Sequence, residues 1–270
     1  HGTYSTKGLF KKKYNSIMLK GNAVIAISKF IKKHIEDKYN ITKNIHVIPR
    51  GVNINIFSPK KVSSARLINA AKKIKIEGAD KIILLPGRLT DWKGHKLAIK
   101  AISRLKIENI KLVIIGDVQG RVKYKNELIK LASALNIGNK VLFIDHTRDL
   151  PSFLMLSDLV LSCSTKPEAF GRTVLEAQAM GRPVIAFNHG GSIELIKDNE
   201  NGTLSKVSDI NHLAKNIEEC LCLSSYKRKV LSKISIANVN KKYLTKFMSE
   251  KTLKLYINLI KNFSEKNFNN

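Results

Sequence analysis

Glu168-Ala169-Phe170-Gly171-Arg172-Thr173-Val174-Leu175-Glu176 sets two carboxylates eight positions apart around a Phe-Gly pair. The stretch follows an apolar run, Leu156 to Leu161, and leads into Val174, Leu175, Ala177, Ala179 and Met180 at helical spacing. These patterns predict a strand, a loop and a helix start. A helix start presents backbone N–H groups that have no intrahelical partner, so the first turn is a ready anion site.

Working outward, residues 22 to 28 read as a buried strand, and Ser28 can cap a helix over Lys29 to Tyr39. Ile45 to Ile48 reads as a second strand, followed by the turn chemistry of Pro49 to Pro59. From Lys81 onward strands and helices alternate. The strands are Lys81–Leu85, Lys111–Ile115, Lys140–Ile144, Leu159–Leu161 and Pro183–Phe187; the helices are Lys96–Leu105, Tyr124–Leu135, Leu150–Leu156 and the one after Gly171. Alternation of this kind predicts an α/β fold, a doubly wound parallel sheet with helices on both faces. Strands that are apolar throughout fit a sheet buried on both sides. The tail from Asn211 to Asn262 reads as helical and lysine-rich, suited to packing on another domain or lying at a membrane.

Ligands of such sheets bind at the carboxyl ends of the strands, and three loops fall there. In Gly87-Arg88-Leu89-Thr90-Asp91-Trp92-Lys93-Gly94, Gly87 permits close backbone approach, Arg88 offers a planar fork for phosphate oxygens and Lys93 a point charge. Gly116-Asp117-Val118-Gln119-Gly120-Arg121 lacks the G-x-G-x-x-G spacing, which counts against a dinucleotide dehydrogenase. In the Glu168 loop, the N–H groups of Arg172, Thr173 and Val174 are placed to meet a phosphate, while Glu168 and Glu176 can accept from sugar hydroxyls. Two such acceptors flanking one anion site suit a diphosphate with a sugar at each end, that is, a sugar nucleotide. His189, before Gly190-Gly191, and His146 are candidates to line the cleft or to be ordinary loop histidines; His95 reads as packing at a helix start.

Lys and Arg number 48 against 21 Asp and Glu, a formal net charge of +27. Two explanations stay open: an anionic partner, or a lysine-rich composition that comes with many Ile and Asn. Scarce Arg, 7% aromatics and no recognisable motif count against nucleic acid, leaving a membrane surface as the better anionic partner. Leu9-Phe10-Lys11-Lys12-Lys13-Tyr14 and Ile17-Met18-Leu19-Lys20 fit either such a surface or a packed helix with snorkelling lysines. No apolar run reaches the roughly 18 residues of a membrane span. Of the cysteines, Cys163 at a strand end reads as a small buried hydrophobe, while Cys220 and Cys222 point apart on a helix. With no Cys/His zinc spacing and no Asp-x-Asp, the expectation is a reducing cytoplasm, no metal and no cofactor.

Together these residues resemble retaining glycosyltransferase family 4 (group 1), whose GT-B fold faces two Rossmann-like domains. Glu168 to Glu176 is similar to the family's E-x7-E signature, Gly87-Arg88 with Lys93-Gly94 to its diphosphate loop, and Pro49 to Pro59 to its interdomain linker, though Asn53 stands where an acidic residue is common. The wording of 116–121, 167–172 and 176–181 looks closest to bacterial lipopolysaccharide-core sugar transferases. The resemblance implies that Arg88 and Lys93 hold the diphosphate, Glu168 the donor sugar and Glu176 the ribose. Gly87, Phe170, Gly171, Arg172, Thr173 and Val174 complete the donor site, and His1 reaches the donor sugar. It also implies transfer of a hexose, with mannose as a candidate, to a lipid-linked saccharide with retention. The expected location is the cytoplasm, and peripheral binding at the inner face of the cytoplasmic membrane stays open.

The expected organisation is a remnant of the N-terminal acceptor domain over 1–50, a linker over 51–60, the sugar-nucleotide-binding Rossmann-like domain over 61–245 and a helical tail over 246–270. The chain opens on His1 rather than Met, and about 50 residues before the linker are fewer than an ordinary domain of ~100 holds. A fragment or a split gene is therefore expected, with exposed sheet edges and apolar surface and low stability. The competing reading is a nucleotide-sugar-binding module that transfers nothing by itself and pairs with a separately encoded N-terminal half. A basic nucleic-acid-binding protein would explain the charge but not the E-x7-E string.

Overall fold

The computed structural model describes residues 9–76 and 80–268. In chain order its elements are α1 (Leu9–Ser16), β1 (Val24–Ala26), α2 (Lys29–Tyr39), β2 (Ile45–Val47), α3 (Ser64–Ile74), β3 (Lys81–Pro86), α4 (His95–Ile102), β4 (Ile110–Ile115), α5 (Val122–Ala134) and β5 (Val141–Ile144). After these come α6 (Leu150–Leu156), β6 (Leu159–Ser162), α7 (Arg172–Ala179), β7 (Val184–Phe187), β8 (Thr203–Ser205), α8 (Ile210–Leu221), α9 (Ser225–Lys242) and α10 (Thr245–Phe268). Short 3-10 turns join several of them.

The larger unit is a six-stranded sheet in the order β5-β4-β3-β6-β7-β8, every pair parallel. This is the expected α/β doubly wound class. Successive strand residues alternate between two apolar layers. Ile82, Leu84, Val113, Val160 and Ala186 pack with residues of α3, α6 and α7. Ile83, Leu85, Leu112, Leu161 and Phe187 pack with residues of α4, α5 and α8. Burial on both faces explains why the strands carry so few polar residues.

Two elements of this unit carry weak or overlooked signals. α3 is announced by Ser63, whose hydroxyl accepts from Arg66 N–H, and by Leu67, Ala70 and Ile74 at helical spacing. Arg66 then grips Asp149 ahead of α6, and this guanidinium holds the Asp149 carboxyl below the ordinary range. β8 is three residues long and only partly buried, so it has little periodicity to read. The lysine-rich tail is helical as expected and divides into α8, α9 and α10, with α8 capped by Asp209 and α9 by Ser224.

The smaller unit is a parallel pair, β1 and β2, with α1 and α2. Chain crosses between the units twice, and the crossings touch. Val52 N–H donates to the Tyr243 carbonyl at 2.8 Å, and Thr245 N–H donates to the Val52 carbonyl at 3.2 Å. A Cβ on Gly51 would lie 2.4 Å from Thr245 N, so the close pass needs glycine. α10 then returns to the smaller unit. Met248, Leu255 and Leu259 face Ile27, Ile31 and Ile35 across an apolar cavity of about 640 Å³.

Candidate donor-binding site

Strand order decides where the site falls. β3 and β6 are neighbours at the point where the order reverses, and ligands of doubly wound sheets bind in the crevice beyond such a switch point. Gly87 to Gly94 leaves β3 there and Cys163 to Gly171 leaves β6 there. The loops are tied together: Thr165 N–H donates to the Trp92 carbonyl at 2.7 Å. Gly94, at φ +75°, passes so close that an added Cβ would sit 1.8 Å from the Cys163 carbonyl oxygen. Likewise, a Cβ on Gly116 would sit 1.8 Å from the Gly87 carbonyl oxygen. Glycine at both positions is what lets these loops nest.

Within the crevice Lys93 and Glu168 are each other's partner, with Nζ 2.5 Å from Oε1 and both side chains largely covered. Ser164 Oγ donates to the same oxygen at 2.5 Å, so the other carboxylate oxygen lies outside both bonds. Lys93 Nζ also lies 4.5 Å from the centre of the Trp92 ring. His189 Nε2 is 2.7 Å from the Ser164 carbonyl; a carbonyl only accepts, so Nε2 carries the proton. Beneath the loop, Gly191 N–H donates to the Glu168 carbonyl at 2.7 Å. A Cβ at Gly190 or Gly191 would strike backbone atoms of residues 167–170 at 2.6 Å to 3.0 Å.

Gly171 precedes α7 at φ +97°, a left-handed conformation that favours glycine. The first intrahelical bond of α7 runs from Leu175 N–H to the Gly171 carbonyl. The N–H groups of Arg172, Thr173 and Val174 are therefore the ones that helix geometry leaves without an intrahelical acceptor. Phe170 is buried and meets Tyr243 edge-on, 6.3 Å between ring centres. Glu176, on the second turn, is 8% exposed and accepts from Arg172 Nη2 at 2.8 Å. Burial pushes its carboxyl up, and the Arg172 charge partly opposes this.

The two carboxylates thus have different partners. Glu176 and Arg172 border a cavity of about 220 Å³ with Arg50, Asn53 and Phe57. Gly87 and Arg88 border a cleft of about 350 Å³ beyond β3 and β4, with Gly116, Asp117 and His146. His146 is therefore a cleft residue, whereas His95 is a core residue at the start of α4, its imidazole pushed down to about 4 by burial. Cys163 is buried and its thiol is pushed up to about 12. His1 lies outside the described residues. Sequence reasoning missed the Lys93–Glu168 pairing, because nothing local links positions 75 apart; it also missed Ser164, whose only signal was its place at the end of an apolar strand.

A doubly wound sheet with two glycine-nested loops, a carboxylate–lysine pair and a helix N-terminus at its switch point defines a Rossmann-like ligand-binding protein. Residues 68–236 match the family model described as glycosyl transferases group 1, and residues 1–56 match the one described as glycosyltransferase family 4. The chain belongs to the group 1 glycosyl transferases. Among known relatives, a D-inositol 3-phosphate glycosyltransferase of Xylanimonas cellulosilytica is 32% identical over 163 residues, 59% of this chain and 39% of that protein. A glycosyltransferase from Rickettsia africae superimposes with a TM-score of 0.90 at 35% identity, over 97% of this chain and 70% of that one. Anabaena HepE, solved with UDP and glucose, superimposes with a TM-score of 0.84 at 24% identity, over 92% and 66% of the two chains, and shows the fold alone. The chain thus spans well under two thirds of the length of the Xylanimonas relative.

Proposed function

We propose that this chain carries the donor-binding half of a retaining glycosyltransferase. That enzyme moves a hexose, with mannose as the candidate, from a nucleoside diphosphate sugar to a lipid-linked saccharide such as lipopolysaccharide core. The observation that carries this reading is the convergence of Lys93, Glu168 and the α7 N-terminus at the β3/β6 switch point. A diphosphate seated at the first turn of α7 draws Lys93 from Glu168 onto its oxygens, with Arg88 reaching it from the neighbouring cleft. Freed of the lysine, Glu168 accepts from hydroxyls of the transferred sugar, with Ser164 holding its orientation. Glu176 exchanges Arg172 for the ribose hydroxyls, whose hydrogen bonds take over from the guanidinium in offsetting the burial of the carboxylate.

Departure of the nucleoside diphosphate is the step in which negative charge develops. Cations and helix N–H groups that are in place before it happens stabilise that charge without reorganising. Gly87 and the Phe170–Val174 turn shape the backbone around the ligand, and His1 is assigned to the donor sugar on family resemblance only. On this reading the enzyme works in the cytoplasm, where the excess of lysine suits binding at the anionic inner face of the membrane; among the described residues no helix is long and apolar enough to cross a membrane.

A second reading is favoured by one observation. Met18 and Tyr256, which line the 640 Å³ cavity, and Phe10, Tyr14 and Ile17 in the segment before Met18 are each more than half exposed. An apolar face of that kind suits a module that pairs with a separately supplied N-terminal half and transfers sugar only when paired. The test is release of nucleoside diphosphate from UDP-glucose, GDP-mannose and ADP-glucose by the chain and by Glu168→Ala. Release from one donor, lost in the variant, supports the enzyme. Equal release by a folded Glu168→Ala protein overturns the assignment of Glu168.

A further inference from the structure

The 3-10 turn Gly190–Glu194 has a grip at each end. At its start, Gly191 N–H holds the Glu168 carbonyl. At its end, the Glu194 side chain crosses to the smaller unit. Its Oε2 accepts from Lys29 N–H at 2.9 Å and its Oε1 from Phe30 N–H at 2.7 Å. These are the first two amides of α2, so a carboxylate 165 positions away in the chain caps this helix. A carboxylate at a helix N-terminus is favoured by the helix dipole and by charge-assisted bonding.

The neighbouring residue completes the contact. Ser28 Oγ accepts from Ile31 N–H at 3.0 Å as the local cap, and donates to the Ala169 carbonyl at 2.6 Å. Ala169 follows Glu168 directly. Tyr243, at the second crossing between units, donates its hydroxyl to the Glu194 carbonyl at 3.2 Å. The backbone of Glu168-Ala169 is thus held from below by Gly191 and from the side by Ser28, and one carboxylate ties both supports to α2.

We propose that Glu194 and Ser28 form a latch between the two units that sets the position of Glu168. Both are positioning residues, and the effect on the ligand rests on the reading of Glu168 as the donor-sugar acceptor. While the latch is closed, the Glu168 carboxylate faces the crevice at a fixed distance from Lys93. Separating the units breaks the Lys29, Phe30 and Ala169 bonds together and releases the loop. Closure of the cleft and readiness of the donor site therefore become one event.

Amide hydrogen exchange by NMR on this chain, on Glu194→Gln, on Ser28→Ala and on Ser28→Thr tests the latch without any ligand. Glu194→Gln keeps the shape but loses the charge and one acceptor, so exchange at Lys29 and Phe30 should rise about tenfold or more. Exchange at Gly191, whose N–H donates to the Glu168 carbonyl, should rise with it. Ser28→Ala should also raise exchange at Gly191, and Ser28→Thr, which keeps the hydroxyl, should restore it. Unchanged amides at Leu112 to Ile114 in β4 would show that the fold is intact. A rise confined to Lys29 and Phe30, or no rise, overturns the latch. With a donor, Glu194→Gln should bind the bare nucleoside diphosphate within about twofold of the parent but lose about tenfold of the extra affinity given by the sugar. An unchanged sugar increment overturns the positioning role, whereas a parent chain that binds no nucleotide overturns the donor-site reading and leaves the exchange result to decide the latch.

Discussion

The six-stranded unit and the two-stranded unit hold their apolar residues in different ways. In the larger, Leu84, Leu112, Ile114 and Leu161 are fully buried, and helices cover both faces. In the smaller, β1 and β2 are partly covered by α2 and α10 around an open apolar cavity, and Phe10 of α1 is 93% exposed. A two-stranded pair cannot bury two faces of its own. The difference teaches that the crevice at the β3/β6 switch point is built on the unit covered on both faces, while its position relative to the smaller unit depends on a few named bonds and two chain crossings.

The comparison breaks most sharply at glycine. Gly94→Ala puts a Cβ 1.8 Å from the Cys163 carbonyl oxygen, at a residue with φ +75°. Overpacking and the left-handed backbone together should cost roughly 2–5 kcal/mol, read by urea unfolding. A loss under about 1 kcal/mol would mean that the loops are looser than described. Acid should also find the larger unit. Burial pushes His95 down to about 4, below its ordinary unfolded value. Below about pH 6.5 the unfolded chain takes up a proton that folded His95 refuses until about pH 4. Stability should therefore fall across that window by about 3 kcal/mol. His95→Gln should remove most of the slope, and an unchanged slope would assign it to other groups. The smallest effect is expected at the smaller unit's surface, where Phe10→Ser should change stability by less than about 0.5 kcal/mol. A loss above about 1 kcal/mol would show that this face is packed rather than open.

Much of the fold was legible where one local cause acts. α2 falls at Lys29–Tyr39 as read, because Ser28 caps its start and Asn40, at φ 55°, ends it. β3, β4, β6 and β7 lie within a residue or so of their apolar runs. Strand order was not legible, since nothing local says that β6 rather than β5 lies beside β3. The same holds in the site. The Gly87–Gly94 and Glu168–Glu176 loops could be placed at strand ends from the sequence. That Lys93 meets Glu168, that Arg172 covers Glu176 and that Glu194 caps α2 depend on residues brought together by the sheet or on side-chain geometry. Lys93 and Glu168 were read from the sequence as neighbours of one ligand, and their contact with each other had no sequence signal.

Calorimetric titration of this chain with UDP, GDP and ADP, alongside Glu176→Ala, tests the donor site most directly. Binding of one nucleotide, weakened about tenfold in the variant by loss of its hydrogen bonds to the ribose, is the result expected of a donor site at the β3/β6 switch point. No heat with any of the three from a folded chain, or equal affinity in the variant, would contradict it.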